Sequence, residues 1–258
     1  MHVVIFTGGE YTKSENARNF FECLNKPDFV IAADSGLEAA MEYGFTPDII
    51  LGDMDSLKDA DSILKNFPAE KIIKHNPYKD FSDTELALDY AYEKIAGSVL
   101  DLDSYSDSAQ NTTRDFFVTL IGGAGGRIDH LLGIFDLFSE EKRPSAWLYN
   151  NQVLWFAGQG SGFEISNLKQ NDYISVARPS GSRAGGKINS SGLEWESEHF
   201  RKEGMPSLSN RISDKAFAAD MVDKTAFAAD MADKKVSIKV EEGNFILILP
   251  VTAKVRFV

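Results

Sequence analysis

The sequence predicts an α/β protein in which a mostly parallel sheet flanked by helices is followed by an all-β, sandwich-like region. Three observations predict it. From residue 1 to about 142, short apolar runs alternate with helical patterns, and such alternation implies parallel strands joined by covering helices. The early runs close in "TGG", "AADSG" and "GDMDS", the Gly, Asp and Ser that terminate strands. From about residue 144 the chain turns to short alternating segments separated by turns, the pattern of an antiparallel region.

Taken in order, His2 to Phe6 is a first buried strand ending in Thr7-Gly8-Gly9. "DFVIAADSG" is a second, with Asp34 at its carboxyl end, and "EAAMEYG" is a helix stopped by Gly44. "PDIILGDMDS" is a third strand. "KIIKHNPYKDFSDTELALDYAYEKIAG" reads as strand, loop and helix, with Ser82 and Glu85 spaced as a capping box. "DFFVTLIGG" is another buried strand, and "GGAGGRIDHLLGIFDLF" leads from a glycine loop into a helix expected to bury Ile128, Leu131, Leu132, Phe135 and Phe138. Beyond a linker at Lys142-Arg143-Pro144, "SAWLYNNQVLWF" and "KKVSIKVEEGNFILILP" read as hairpins. The expected domains are therefore 1–143, α/β, and 144–258, β, with an insertion at about 214–234 in the second. That insertion carries "AFAADM" twice, ten residues apart; the step leaves the two phenylalanines about 80° apart on a helix, so no single apolar face results. A second insertion, 97–115, is rich in Ser, Asp, Asn and Thr and reads as a surface loop.

Composition narrows the function. With 27 basic and 39 acidic residues the net charge is −12, which disfavours broad contact with nucleic acid or anionic lipid. Cys23 is the single cysteine, so an intrachain disulfide and a thiolate zinc site are both excluded, and a reducing cytoplasm fits. The apolar run in "MHVVIFTGGEYTK" is too short for a signal or membrane segment.

Ligands of open α/β sheets lie beyond the carboxyl ends of the strands, where Asp34, Asp53 and the glycine loop fall. The loop matches neither the Walker pattern, having Arg127-Ile128 in place of Lys-Ser/Thr, nor the Rossmann pattern, having Ile128 in place of the third glycine. If the extended backbone persists through Gly52-Asp53-Met54-Asp55, Asp53 and Asp55 project to one side. Two carboxylates about 4 Å apart repel by about 1 kcal/mol in water and about 4 at an effective dielectric of 20. A hard divalent cation, Mg²⁺, relieves that repulsion. Alternatively, Asp55 or Ser56 caps the helix that follows, and Asp83 is an ordinary first-turn acid. Arg127 offers a bidentate grip on phosphate, whereas a lone His130 is more often structural and a lone Trp195 more often core.

In their order, "AADSG", "PDIILGDMDSL", "KDFSDTELAL" and "GGAGGRIDH", extended by "SSGLEW" (190–195) and "LSN" (208–210), resemble the thiamine pyrophosphokinase family. The resemblance implies an α/β catalytic domain joined to a β-sandwich-like domain, a homodimer with shared active sites, and transfer of a pyrophosphoryl group from ATP to thiamine with release of AMP. It implies Asp53, Asp55 and Asp83 as ligands of Mg²⁺ on the triphosphate, and Asp34, Asp80, Gly126, Arg127, Asp129 and His130 as the lining of the nucleotide site. Trp195, Ser209 and Asn210 would meet thiamine. Two positions depart from the family pattern: Ser35 stands where a glycine is frequent, and Arg211 where an acidic residue is common. From the residues alone, a metal-dependent phosphohydrolase and a nucleotide-sensing binding protein stay open.

Overall fold

Why so many apolar residues run consecutively in the first half is visible in a computed structural model, which describes residues 1–57, 59–76, 81–97, 116–123, 125, 127–182, 185–213 and 235–258. These fall into two compact units, 1–14 with 25–150, and 15–24 with 151–258. In the first, strands β1 (His2–Phe6), β2 (Phe29–Ala33), β3 (Ile49–Gly52), β4 (Ile72–Lys74), β5 (Phe117–Ile121) and β6 (Ala146–Tyr149) lie in the order β6-β5-β1-β2-β3-β4. Neighbours pair in parallel throughout. Every residue of β1 is buried, as a parallel strand covered on both faces requires.

After β1 the chain adds β2, β3 and β4 on one side and then returns to place β5 and β6 on the other. The strand ends around β1 therefore form a topological switch point, where a crevice opens. The helices of this unit are α2 (Gly36–Glu42), α3 (Ala60–Leu64), α4 (Asp83–Tyr90), prolonged by a π-helical turn at Ala91–Ala96, and α5 (Ile128–Asp136), while α1 (Arg18–Cys23) belongs to the second unit. The α4 capping box forms as expected, with Ser82 Oγ accepting from the Glu85 N–H and the Glu85 carboxylate accepting from the Ser82 N–H.

Three expectations for the first half of the chain differ from the structure. The division of the chain falls at 150/151, because β6 pairs in parallel with β5 and so completes the first sheet. Residues 15–24 leave the first unit altogether: Phe20 packs on Trp155 with ring centroids 5.1 Å apart, and Asn19 donates to the Thr252 carbonyl at 2.6 Å. The helix α5 buries Ile134 and Phe138 follows it into the core, but Ile128 is 73% and Leu132 58% exposed. Apolar side chains occupy more than one arc of this nine-residue helix, and Ile134 is the one held against the glycine loop: a Cβ at Gly123 would lie 2.1 Å from its Cδ1.

The second unit holds two antiparallel sheets. Strands β7 (Gln152–Ala157), β9 (Ile174–Ala177), β11 (Ser207–Asn210) and β13 (Phe245–Pro250) run in the order β11-β9-β13-β7. Strands β8 (Gly162–Ser166), β10 (Lys187–Ser191), β12 (Val236–Glu242) and β14 (Lys254–Phe257) run β10-β12-β8-β14. The expected hairpin across Glu-Gly-Asn is therefore a crossover, since β12 pairs with β10 and β8 whereas β13 pairs with β7 and β9. The burial patterns carry the reason: β12 alternates buried and exposed, while β13 is buried on both faces as a central strand. Both insertions fall outside the described residues, apart from Gly97 at the start of the first. Among the described residues no helix is long and apolar enough to cross a membrane.

One buried titratable group ties the first strand into its unit. The His2 ring meets Thr119 Oγ1 at 2.8 Å and the Asn25 carbonyl at 2.9 Å. Burial holds this imidazole below its ordinary 6.5, against the opposing pull of the Asn25 carbonyl and the Asp28 charge. The unfolded chain thus takes up its proton first as the pH falls. Stability present above pH 6.5 is lost below it, towards the folded-state pKa, with a slope of at most about 1.4 kcal/mol per pH unit. Urea midpoints compared between about pH 8 and about pH 5 should fall less in His2→Gln than in the wild type; parallel pH profiles would assign the acid sensitivity elsewhere.

Candidate active site

Three carboxylates meet at the carboxyl ends of β2 and β3. Asp34, Asp53 and Asp83 each place an oxygen within 4.8 Å of the other two. Asp34 follows β2 directly and Asp53 follows β3, whereas Asp83 opens α4. A hydrogen bond of 2.6 Å between the buried Thr7 and Thr84 hydroxyls anchors that first turn to the end of β1. Between the acids sits Gly52, at φ 140°, where a Cβ would come within 3.2 Å of both Asp34 and Asp83 Oδ1. A side chain there would press on both acids from a backbone conformation that L residues rarely adopt.

Asp34 is 7% exposed, and its Oδ1 is buried with no hydrogen-bond partner among the described residues. Burial pushes its carboxyl above the usual range, with the Asp83 and Asp53 charges adding to the effect and the nearby Ser35 backbone and Ser56 hydroxyl opposing it. An orphaned buried oxygen among three carboxylates, with neither sulfur nor nitrogen in the group, is a donor set that suits a hard divalent cation.

Asp55, expected beside Asp53, is not in this group. The extended backbone stops at Met54, which takes a left-handed φ of 66° and sinks its side chain into a cluster with Ala32, Leu37, Ile50, Leu57 and Leu64. Period-two alternation ends there, and Asp55 is exposed, accepting from the Ser56 hydroxyl at 2.9 Å. Neither Asp55 nor Ser56 caps α3, whose cap position is Asp59. The departure at Ser35 adds no backbone strain of its own: Ser35 has a helical φ of −63°, and it is Asp34 that adopts the left-handed φ of 49°.

On the other side of β1 the glycine loop follows β5. Gly122, Gly123 and Gly125 all have positive φ, and the Gly122 carbonyl accepts from the buried Trp147 indole at 2.7 Å. The loop delivers Arg127 to the cap position of α5, where its guanidinium grips Asp129 through Nε (3.2 Å) and Nη2 (2.6 Å). Both side chains are well exposed, as is His130. The helix start and the guanidinium together suit an anionic ligand. Asp80 and Gly126 lie outside the described residues.

In the second unit Trp195 stands 49% exposed. The Arg211 guanidinium carbon lies 5.9 Å from its ring centroid, so the indole already faces a flat cation of the chain's own. Ser209 is exposed at a left-handed φ of 55°, whereas Asn210 is 1% exposed and bonded within the chain. The structure thus presents Trp195 and Ser209 at the surface and buries Asn210 behind them.

Residues 20–148, which are 129 of 258 and hence half of the chain, match the family model described as "Thiamin pyrophosphokinase, catalytic domain". No curated protein matches the sequence. Among solved structures, the chain is similar to thiamin pyrophosphokinase from Geobacillus thermodenitrificans at 20% identity and a TM-score of 0.60, covering 97% of each chain. It is similar to thiamine pyrophosphokinase from Bacillus subtilis at 16% identity and a TM-score of 0.62, covering 97% of this chain and 99% of that one. The yeast enzyme aligns at 15% identity and a TM-score of 0.56 over 96% and 86% of the two chains. At such identities the structural likeness speaks to the fold.

The acidic cluster generates a direct test. Magnesium or manganese should raise the melting temperature of the wild type, by the equivalent of about 2.7 kcal/mol when the ion is at a hundred times its Kd. Asp34→Asn removes a buried charge without changing shape, so the ion-free variant should melt no lower while losing most of the ion-dependent rise. An undiminished ion response in Asp34→Asn, read by calorimetry, would remove Asp34 from the site.

Proposed function

The chain belongs to the thiamin pyrophosphokinase family, and on that premise we propose how its residues perform ATP-dependent pyrophosphoryl transfer to thiamine. The observation that carries the reading is the convergence of Asp34, Asp53 and Asp83 at the ends of adjacent parallel strands. The reaction joins the primary hydroxyl of thiamine to the β-phosphorus of ATP, and thiamine diphosphate and AMP leave. Such a site must offset charge on the phosphates and hold the attacking oxygen in line. Mg²⁺, when bound, would supply charge neutralisation on the triphosphate.

In our reading Asp53 and Asp83 hold that ion together with Asp34, which the family resemblance had assigned to the nucleotide. The orphaned Asp34 Oδ1 supports this exchange of roles. Asp55 then acts from outside the cluster. Arg127 takes phosphate oxygens through the same two-pronged face that it turns to Asp129, with Gly126, Asp80, Asp129 and His130 completing the nucleotide lining. The exposed indole of Trp195 stacks on the flat cationic ring of thiamine, a contact of about 0.5 to 2 kcal/mol, and Ser209 lies beside it. The lone Cys23 supports a reducing, cytoplasmic setting.

Product analysis tests the reading. Incubation with ATP and Mg²⁺ should release AMP only when thiamine is added, with one thiamine diphosphate per AMP. ADP as the product, or AMP released without thiamine, would refute it and favour a phosphohydrolase. Asp53→Asn and Asp83→Asn should each lose at least about a hundredfold in kcat, in keeping with the removal of one electrostatic contact from a transition state.

We further propose a homodimer with shared active sites. Mixing Asp53→Asn protein with Trp195→Ala/Ser209→Ala protein should restore activity towards about a quarter of the wild type once subunits exchange at random. Background activity after proven exchange would show that each chain builds its own site.

A further inference from the structure

A tryptophan half in water is ordinarily free to choose its rotamer, but the backbone that carries Trp195 is tied on both sides. Asn210 is 1% exposed, and its carboxamide is fully engaged. Its Oδ1 accepts from the N–H groups of Trp195 (3.2 Å) and Arg211 (2.9 Å), and its Nδ2 donates to the Trp195 carbonyl (2.7 Å) and Ser207 Oγ (3.1 Å). Two acceptor sites and two N–H donors exhaust what a primary amide offers. Asn210 therefore has nothing left to give a ligand.

The next residue along, Glu196, gathers the preceding turn. One carboxylate oxygen accepts from the N–H groups of Gly192 (2.8 Å) and Leu193 (3.1 Å), and the other accepts from the Ser190 hydroxyl. Ser190 Oγ in turn accepts from the Ser197 N–H at 2.8 Å. A backbone bond from the Glu194 N–H to the Arg211 carbonyl (2.8 Å) and a bridge between Leu193 and Ile212 close the frame. Hydrogen bonds to a carboxylate are stronger than those between neutral groups, so this loop is braced by charge as well as by sheet.

We propose that Asn210 and Glu196 are positioning residues, which hold the backbone on either side of Trp195 so that its indole stands preformed as the stacking face for the flat cationic ring of the substrate. The proposal rests on the reading of Trp195 as the thiamine contact. Fixing the platform in advance removes an ordering cost from each binding event. Its signature is an effect confined to thiamine affinity, because the Asn210 amide is fully engaged within the chain and Glu196 turns both carboxylate oxygens to its own turn.

Steady-state kinetics with each substrate varied, combined with iodide quenching of tryptophan fluorescence, test it on the full chain. Trp147 and Trp155 are each 2% exposed, so the quenchable fraction reports Trp195. Glu196→Ala should raise the KM for thiamine about tenfold, a change of about 1.4 kcal/mol, with kcat and the KM for ATP within about twofold. The accessible fluorescence should show lower anisotropy, as the indole gains freedom. Glu196→Gln, which keeps an acceptor oxygen for the two N–H groups, should recover most of the affinity. Asn210→Asp, which sets a carboxylate oxygen against the Trp195 carbonyl, should weaken thiamine at least as much; if it fails to fold, the two Glu196 variants decide. An unchanged thiamine KM in Glu196→Ala, alongside a raised one in Trp195→Ala, would overturn the positioning role and leave Trp195 in contact with thiamine. An unchanged thiamine KM in Trp195→Ala would overturn both readings. Equal losses in kcat and in both KM values for Glu196→Ala would show a general structural role and overturn the proposal.

Discussion

Three carboxylates within 4.8 Å of one another are the constraint around which the first unit is arranged. At about that separation each like-charged pair costs about 1 kcal/mol in water and several times more where water is excluded, and Asp34 is largely excluded from water. The fold sustains the cost because its stability is drawn from elsewhere, from strands such as β1 that are buried along their whole length. The arrangement is a product of topology. Parallel neighbours β2 and β3 end side by side, so the residues after each end, Asp34 and Asp53, are neighbours without any special contact between them. Asp83 is added by the capped start of α4, and the absent side chain of Gly52 leaves the space between them.

Much of this was legible in the sequence because it depends on burial and on local chemistry. Parallel strands covered on both faces are apolar at nearly every position, so "VVIF" and "VIAA" stand out as uninterrupted runs, and "VTLI" is broken only by Thr119, whose hydroxyl meets the buried His2 ring. The Ser82–Glu85 cap is a local motif and forms as such. The placement of aspartates and glycines after strands follows from the same runs. The family resemblance was likewise carried by short motifs at those strand ends, and the matched family region, residues 20–148, contains all of those that belong to the first unit.

What was not legible turned on single torsions and on distant partners. Asp55 follows Asp53 by two, and only the left-handed Met54, drawn into the apolar cluster with Leu57 and Leu64, sends the two apart. Asp34 joins the acidic cluster through strand adjacency, which spacing along the chain does not reveal. The helix α5 carries apolar residues on several arcs, and periodicity alone does not choose between them; the close seat of Ile134 against Gly123 does. The segment 15–24 gives no local sign that it packs on strands more than 130 residues later, as Phe20 does on Trp155. The β12–β13 connection has a hairpin's turn residues, but the continuous apolar run Phe245 to Leu249 is the mark of a central strand, a signal the turn chemistry obscured.

The two units nonetheless share one physical logic. In each, the candidate site carries one feature that suits a ligand. In the first it is Asp34 Oδ1, buried and without a hydrogen bond, a condition that ordinarily costs about 1 to 3 kcal/mol. In the second it is the indole of Trp195, held half in water by a frame whose amide is fully engaged and whose carboxylate is bonded through both oxygens. A buried oxygen without a donor asks for a cation, and an exposed, braced indole asks for a flat ring, best a charged one, as the Arg211 guanidinium already demonstrates from within. Under the proposed function, a metal-bound triphosphate and thiamine meet those two demands separately. On that reading the two features answer to the two substrates of the family reaction, from residues that the family match covers in one case and does not reach in the other.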